Sequence, residues 1–439
     1  HPMSRSLTPV SASDWELSLR EPFEFSRGAG RKYRVEWLDG QLRHVESGGG
    51  DREVPPYEQS EAVTWSIGSG RRGRSFCLDR DGWLFMSPLS WYSNGSRWDL
   101  SPEYSPENHP RFERPTNDRC LQCHAGRLEY AHEANSELQQ RYGNPAVAEA
   151  AISCERCHGP AAEHVAFHRS ASARKSTDAG GSTGAATGDP IVHPGKLSST
   201  RANDVCNQCH LTGTAQVLRY GRHHADFRPG DLVSDIWVTF VSGTGLGSDG
   251  QTKAVSHVEQ MQASRCFEAT GGKLLCVSCH DPHSVPSEAD RIAYFDRRCQ
   301  ECHQETACDL PLETRRKPPH DGSCIACHMP RLNAHDVPHT TQTDHRVLRD
   351  PLRFAGRRDE TIRDAGRPSP SATDAVDSSP AELATWTIFE SLVSPLPEWE
   401  ERRARGLIEG QAAEQQRDRA RAERCLLYTS DAADEGLGV

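Results

Sequence analysis

Cys276-Val277-Ser278-Cys279-His280, Cys299-Gln300-Glu301-Cys302-His303 and Cys324-Ile325-Ala326-Cys327-His328 repeat one pentapeptide three times between residues 276 and 328. Working outward, three more copies lie upstream: Cys120/Cys123/His124, Cys154/Cys157/His158 and Cys206/Cys209/His210. Two thiols three positions apart with a histidine directly after the second form the attachment pattern of c-type haem. The thiols bond covalently to the porphyrin, and the adjoining histidine is held beneath it as an axial ligand of the iron. With 16 Cys and 21 His in 439 residues, chance supplies roughly 0.03 such pentapeptides. The six copies use 12 of the 16 cysteines, so coincidence is not an explanation. Zinc knuckles and redox dithiols share the C-x-x-C pair, but neither needs the histidine that follows it every time. The expected cofactor is haem c, six per chain.

Composition fits a chain whose interior is partly cofactor. Hydrophobic residues make up 35% of the sequence, against about 45–50% in ordinary globular domains. Six apolar macrocycles make up the difference, so the central region is expected to depend on haem in order to fold. The net charge of −11 argues against nucleic acid and anionic membrane surfaces as partners. No apolar run approaches the 18 residues of a membrane span. Because haem is attached outside the cytoplasm, the expected location is periplasmic or extracytoplasmic, although no signal peptide is visible.

The expected fold class is a mainly α/irregular multihaem cytochrome c with a small N-terminal antiparallel β-meander and a C-terminal helical segment. Residues 1–30 form an N-terminal segment with a short helix near Ala12–Leu19. Residues 31–110 form the β-rich subdomain, marked by Tyr33–Leu38 and Gln41–Glu46 around the turn pair Asp39-Gly40, and by Asp81-Gly82 before Trp83–Met86. Trp65, Trp83, Trp91 and Trp98 read as its core and edges. The hexahaem region spans 111–350, with a Ser/Ala/Gly/Thr-rich insertion at 169–190 and a strand pair within Leu232–Val241. A linker follows at 351–380, then a helical segment at 381–424. Residues 425–439, with Cys425, resemble translated adapter sequence and stand outside the fold.

A haem that only transfers electrons takes two strong axial ligands, so six irons require six residues beyond the motif histidines. Fifteen histidines lie outside the motifs against 4 methionines, which favours bis-histidine ligation. His164, six residues past His158, is a distal candidate, as are His257 ahead of the fourth motif and His339 and His345 after the sixth. His283 lies three residues past His280, too close to reach the far side of the same iron, and so is expected to serve a neighbour. His109, His132, His193, His223, His224 and His335 are weaker candidates, and His44 reads as structural. Cys266 and Cys308 allow either a disulfide or two free thiols. Cys77 reads as a small buried residue.

The phrases C-E-R-C-H-G-P-A-A-E-H-V, V-C-N-Q-C-H, S-C-H-D-P-H-S-V-P and C-I-A-C-H-M-P-R, then H-T-T-Q-T-D-H-R, resemble bacterial multihaem cytochromes c with C-terminal tetratricopeptide repeats. The haem part of those proteins is related to tetrahaem cytochromes and hydroxylamine-oxidoreductase-like cytochromes. The resemblance covers roughly 1–350. It implies that His1, in His1-Pro-Met-Ser-Arg-Ser, follows a further motif upstream and joins His164, His257, His283, His339 and His345 as a distal ligand. It also implies that Trp399 to Ala422 leads into a repeat array that docks a protein partner, and that native sequence extends past both ends. The function expected is electron transfer between redox partner proteins. The alternative is an oxidoreductase acting on nitrite, hydroxylamine or a sulfur oxyanion at one five-coordinate haem, with Tyr220, Arg222 and His223 as proton-delivery candidates.

Overall fold

The computed structural model describes residues 3–11, 24–27, 30–49, 55–71, 73–93, 96–102, 104, 109–132, 140–170, 188–241, 256–304, 308, 310–318, 321–333, 341–349, 385–389 and 396–415. The helix expected at Ala12–Leu19, most of the 169–190 insertion, the 351–380 linker and the tail after 415 lie outside these residues.

Two tight turns organise the N-terminal third. Asp39 (φ 52°) and Gly40 (φ 76°) reverse the chain between β3 (Arg31–Leu38) and β4 (Gln41–Gly48), with Leu38 opposite Gln41. Asp81 (φ 55°) and Gly82 (φ 86°) do the same between β7 (Gly73–Arg80) and β8 (Trp83–Tyr92). Both central residues have positive φ, the two-residue geometry whose twist matches that of the flanking strands. The rest of the region is larger than the single small meander expected. β2 (Glu24–Arg27), β3, β4 and β5 (Tyr57–Ala62) form one antiparallel sheet. β1 (Leu7–Pro9), β6 (Trp65–Ile67), β7, β8 and β10 (Arg114–Pro115) form a second, with β9 (Arg97–Leu100) also on β8. Both sheets feed one core. Tyr33, Val35 and Leu42 from the first pack with Ile67, Phe76, Leu84 and Leu89 from the second. Trp98 is buried there, Trp65 and Trp91 pack at its margin, and Trp83 is exposed. Cys77 is fully buried beside Thr116.

His44 shows how closed this core is. It is fully buried, its Nδ1 lies 2.6 Å from Ser87 Oγ, and its ring meets Phe76 and Trp98 edge-on at 5.0 and 5.3 Å. Burial pushes its imidazole down to about 3. An unfolded chain takes up this proton near pH 6.5 whereas the folded one does not until about 3. The folded state is therefore undisturbed above pH 6.5 and loses stability as pH falls through that window, by about 3–5 kcal/mol. Replacing His44 with Gln is expected to flatten the acid limb of the sandwich's unfolding profile. An unchanged slope between pH 6.5 and 3 would refute this account.

Beyond the sandwich, regular elements are short. α1 (Asp118–Leu121) leads to a hairpin of β11 (Arg127–Tyr130) and β12 (Tyr142–Glu149), followed by α2 (Glu155–His158), α3 (Ala162–Arg169) and α4 (Ser199–His210). β13 (Ala215–Leu218) pairs with β14 (Trp237–Val241). Within Leu232–Val241 the structure thus holds one strand, preceded by a 3₁₀ turn at Val233–Asp235, and not the strand pair expected. α5 (His257–Gln262), α6 (Arg265–Ala269), α7 (Arg291–Gln300), α8 (Leu312–Arg315) and α9 (Cys324–His328) follow, then a hairpin of β15 (Arg331–Asn333) and β16 (Thr341–Thr343).

The C-terminal segment packs against β13 and β14. β17 (Thr387–Ile388) adds to β14, and α10 (Glu398–Gln415) lays Ala404, Ile408 and Ala412 on Val217, Val238 and Phe240. Two members of a buried ion pair within the helix fasten it: Glu400 accepts the Tyr220 amide at 3.0 Å and Arg403 donates to the Leu218 carbonyl. No helix among the described residues is long and apolar enough to cross a membrane.

Candidate functional site

All six pentapeptides sit at the ends of short helices or in a 3₁₀ turn. α1 carries Cys120, with Cys123 and His124 just beyond it; α2 carries Cys157 and His158, with Cys154 at its cap. α4 holds Cys206, Cys209 and His210; the turn Cys276–Ser278 opens the fourth motif; α7 ends at the fifth; α9 is the sixth. Cysteines three apart and the histidine after them share one face of such a turn, while the two residues between face elsewhere. Leu121 accordingly faces the sandwich core.

The motifs touch one another in series. Arg156 of the second donates to the Gln122 carbonyl of the first at 3.1 Å, and Gln208 of the third donates to the Arg156 carbonyl at 3.2 Å. The Cys123 sulfur lies 3.9 Å from the Cys209 carbonyl oxygen. The third and fourth motifs are tied by Asn203, whose amide donates to the Leu274 carbonyl (3.1 Å) and accepts from the Cys276 amide (3.0 Å). The His280 ring meets Phe295 of α7 at 5.5 Å, which brings the fourth motif to the fifth. Asp296 receives the Cys324 amide at 2.9 Å, which joins the fifth to the sixth. Thiols of different motifs also lie close enough to shift one another's proton affinity: Cys206 with Cys276, Cys123 with Cys209, and Cys299 with Cys324. Contact of the last three motifs follows from their close spacing in sequence; contact of the first four does not.

The histidines carry a second pattern. His124 Nδ1 is 3.1 Å from the Ser6 carbonyl oxygen, His158 Nδ1 is 2.9 Å from that of Val192, and His328 Nδ1 is 2.7 Å from that of Leu348. Each bond fixes the ring with Nε2 pointing away, which is how metal-ligating imidazoles are held. Burial pushes His124, His210, His257, His280 and His345 below the ordinary histidine range, His257 to about 3. Neutral imidazole is the form that binds metal.

Three motif histidines face histidines from outside the motifs. His158 and His283 are stacked with centroids 6.1 Å apart and planes 10° from parallel. His280 and His345 are 6.2 Å apart at 26°, and His210 and His257 are 6.2 Å apart at 60°. Two imidazoles bonded to one metal at about 2 Å each place their ring centres about 6 Å apart. His345 is itself held, its Nδ1 2.7 Å from the Thr343 carbonyl oxygen and its amide donating to Gln260 Oε1 at 2.7 Å.

Other expected residues are placed differently. His164 meets Asp189 and His168, and among the described residues no ring contact joins it to a motif histidine. His1, His335 and His339 lie outside the described residues. His109 is taken up by Tyr33 (3.0 Å) and the Arg111 amide (3.1 Å), and His224 accepts from Trp237 Nε1 at 3.2 Å. His223 Nε2 is 2.9 Å from the buried Asp118, whose carboxylate also accepts from Tyr130 (2.8 Å) and Tyr142 (2.6 Å). Burial raises the Asp118 carboxyl, but these donors outweigh it and the net shift is downward. Tyr220 lies on the surface against Trp399 and Arg403. Cys266 and Cys308 are both free thiols, Cys266 near Cys302 and Cys308 near Cys327, so no disulfide joins them.

The residues of 259–349 fit covalent macrocycles. Among the described residues, no buried Val, Leu, Ile, Met, Phe, Tyr or Trp lies between Val258 and Trp386, while Val277, Val285, Ile292, Leu310 and Leu312 are exposed. Four of the six helices and turns that carry motif cysteines have no buried residue at all. Such a segment has no interior of its own and holds its apolar side chains where a porphyrin face can cover them.

No family model matches the chain, and no solved structure matches it. It is similar to the multiheme cytochrome MtrA of Shewanella baltica (strain OS185), with 24% identity over 197 residues that cover 43% of this chain and 53% of that protein. The chain thus spans about half the length of the curated relative it matches. The similarity and the six attachment motifs together support a multihaem c-type cytochrome.

Proposed function

We propose that this chain is an extracytoplasmic electron-transfer protein with six covalently attached haem c groups, most of them bis-histidine ligated. The observation that carries the reading is the trio of facing pairs, His158/His283, His210/His257 and His280/His345, at 6.1–6.2 Å. Bound haem supplies one-electron chemistry at each motif. The chain's own contribution is positional: paired thiols would anchor each group, Nδ1 bonds orient His124, His158 and His328, and His283, His257 and His345 would supply second imidazoles opposite His158, His210 and His280. The contacts running through motifs 2, 1, 3, 4, 5 and 6 hold neighbouring centres in a contiguous series. His283 and His345 each come from segments that also adjoin another motif, so the ligands cross-link the series. The partners are redox proteins.

An oxidoreductase needs a polar pocket over an open iron. Of the proton-delivery candidates, His223 is committed to Asp118 and Tyr220 to a surface cluster, which favours the electron-transfer reading. Matured protein is expected to show a pyridine haemochrome count near six and wholly low-spin ferric spectra at low temperature. A high-spin fraction that binds cyanide or nitrite would move the assignment to an oxidoreductase.

A further inference from the structure

We infer that His164, His168 and Asp189 form a binding site for one divalent transition-metal ion, separate from the haem centres. His164 and His168 are four apart on α3 and therefore share a helix face, with ring centroids 4.6 Å apart. One carboxylate serves both: Asp189 Oδ1 is 2.8 Å from His164 Nδ1, and Oδ2 is 3.0 Å from His168 Nε2. The three donor atoms lie within 4.8 Å of one another. Metal–nitrogen and metal–oxygen bonds of about 2.0–2.2 Å place donors roughly 3–3.5 Å apart, close to the His164–Asp189 and His168–Asp189 distances of 2.8 and 3.0 Å.

The site is anchored before any ion arrives. Asp189 Oδ1 accepts the Ile191 amide at 3.2 Å. Val192, next in the chain, donates to the His158 carbonyl at 3.0 Å and receives His158 Nδ1 at 2.9 Å. α3 starts four residues after the same His158. Both halves of the donor set therefore hang from one fixed point at the second motif. Hydrogen bonding from His164 holds the Asp189 carboxyl at about 2, which keeps it ionised. Side-chain exposures of 33%, 52% and 14% for His164, His168 and Asp189 leave a route from solvent.

Two imidazoles and one carboxylate favour zinc, nickel or copper over calcium and magnesium, which prefer all-oxygen sets. Three protein donors leave a position for water. Bound metal would clip α3 to the segment at Asp189, 25 positions after His164. Ligation of a haem iron by His164 is the competing use of this side chain.

The test uses haem-loaded full-length chain, stripped with chelator, dialysed and titrated with Zn²⁺ by calorimetry, with bound zinc counted by elemental analysis. The expected result is one zinc per chain with micromolar or tighter affinity. His168→Ala and Asp189→Asn are each expected to weaken it by at least about tenfold with the haem spectrum unchanged. Zinc uptake that is absent, or equal in wild type and variants, overturns the site. So does a His164→Ala variant that loses a low-spin haem signal, since that assigns the side chain to iron.

Discussion

Replacing His283 with Met is expected to raise the reduction potential of one haem by on the order of 100 mV, and that haem is the one attached at Cys154 and Cys157. Sequence distance alone excludes the fourth motif, because His283 lies three residues after His280 and cannot reach round to the far side of the same iron, but it does not say which neighbour is served. Geometry points to the second: the His283 ring lies parallel to that of His158, 6.1 Å away. His158 is already oriented through Nδ1 by Val192. His283 is turned by a short loop in which its amide donates to Asp281 Oδ1 at 2.8 Å, with Nδ1 3.6 Å from the same oxygen. Both rings can therefore present Nε2 to a common centre. Thioether donors stabilise the reduced iron relative to imidazole, which sets the sign of the shift. His283→Ala should leave the same haem five-coordinate and high-spin. A potentiometric titration that moves the fourth haem instead, or none, removes the pairing.

Preventing haem attachment is expected to leave 256–349 unfolded while the sandwich persists. Each ordered residue costs about 1–2 kcal/mol in backbone entropy, and each buried Leu or Phe returns about 1.5–3 kcal/mol. Between Val258 and Trp386 no such side chain is buried among the described residues, so nothing in the polypeptide offsets the cost. The sandwich has Tyr33, Leu42, Phe76, Leu78 and Leu89 almost fully enclosed. In protein exported without haem ligation, amide exchange in 256–349 should run at unprotected rates, whereas β3, β4, β7 and β8 keep protection on the order of 10³ or more. Slow exchange throughout 276–328 in haem-free chain would contradict the claim that macrocycles form that interior.

What could be read from sequence was local. Asp39-Gly40 and Asp81-Gly82 announce their hairpins because few residue pairs accept positive φ at both positions. The pentapeptides announce themselves because two thiols three apart with a histidine directly after them form a pattern that chance supplies far less than once per chain. Contacts that span the chain left no such mark. The Ser6 carbonyl that holds His124 comes from 118 positions away, and Ser6 Oγ binds back to the His124 carbonyl at 2.6 Å. The two-sheet arrangement depends on Leu7–Pro9 reaching Trp65–Ile67, a pairing for which three residues carry no readable alternation. His168 and Asp189 carry no mark in the sequence, because a His four after another on a short helix gains meaning only when a distant carboxylate closes over it. Leu232–Val241 reads as a strand pair from composition, yet a 3₁₀ turn uses its first half and the second half takes partners from 215–218 and 387–388.

The thiols of Cys206 and Cys276, Cys123 and Cys209, and Cys299 and Cys324 are neighbours across different motifs. The closeness that suits a relay is a hazard during biogenesis. In an oxidising compartment, any of these couples can be captured as a disulfide that ties two attachment segments together and uses up one thiol from each. On the proposed reading, haem-free chain exported without reductant is expected to accumulate disulfides between these segments, a product that non-reducing peptide mapping would identify.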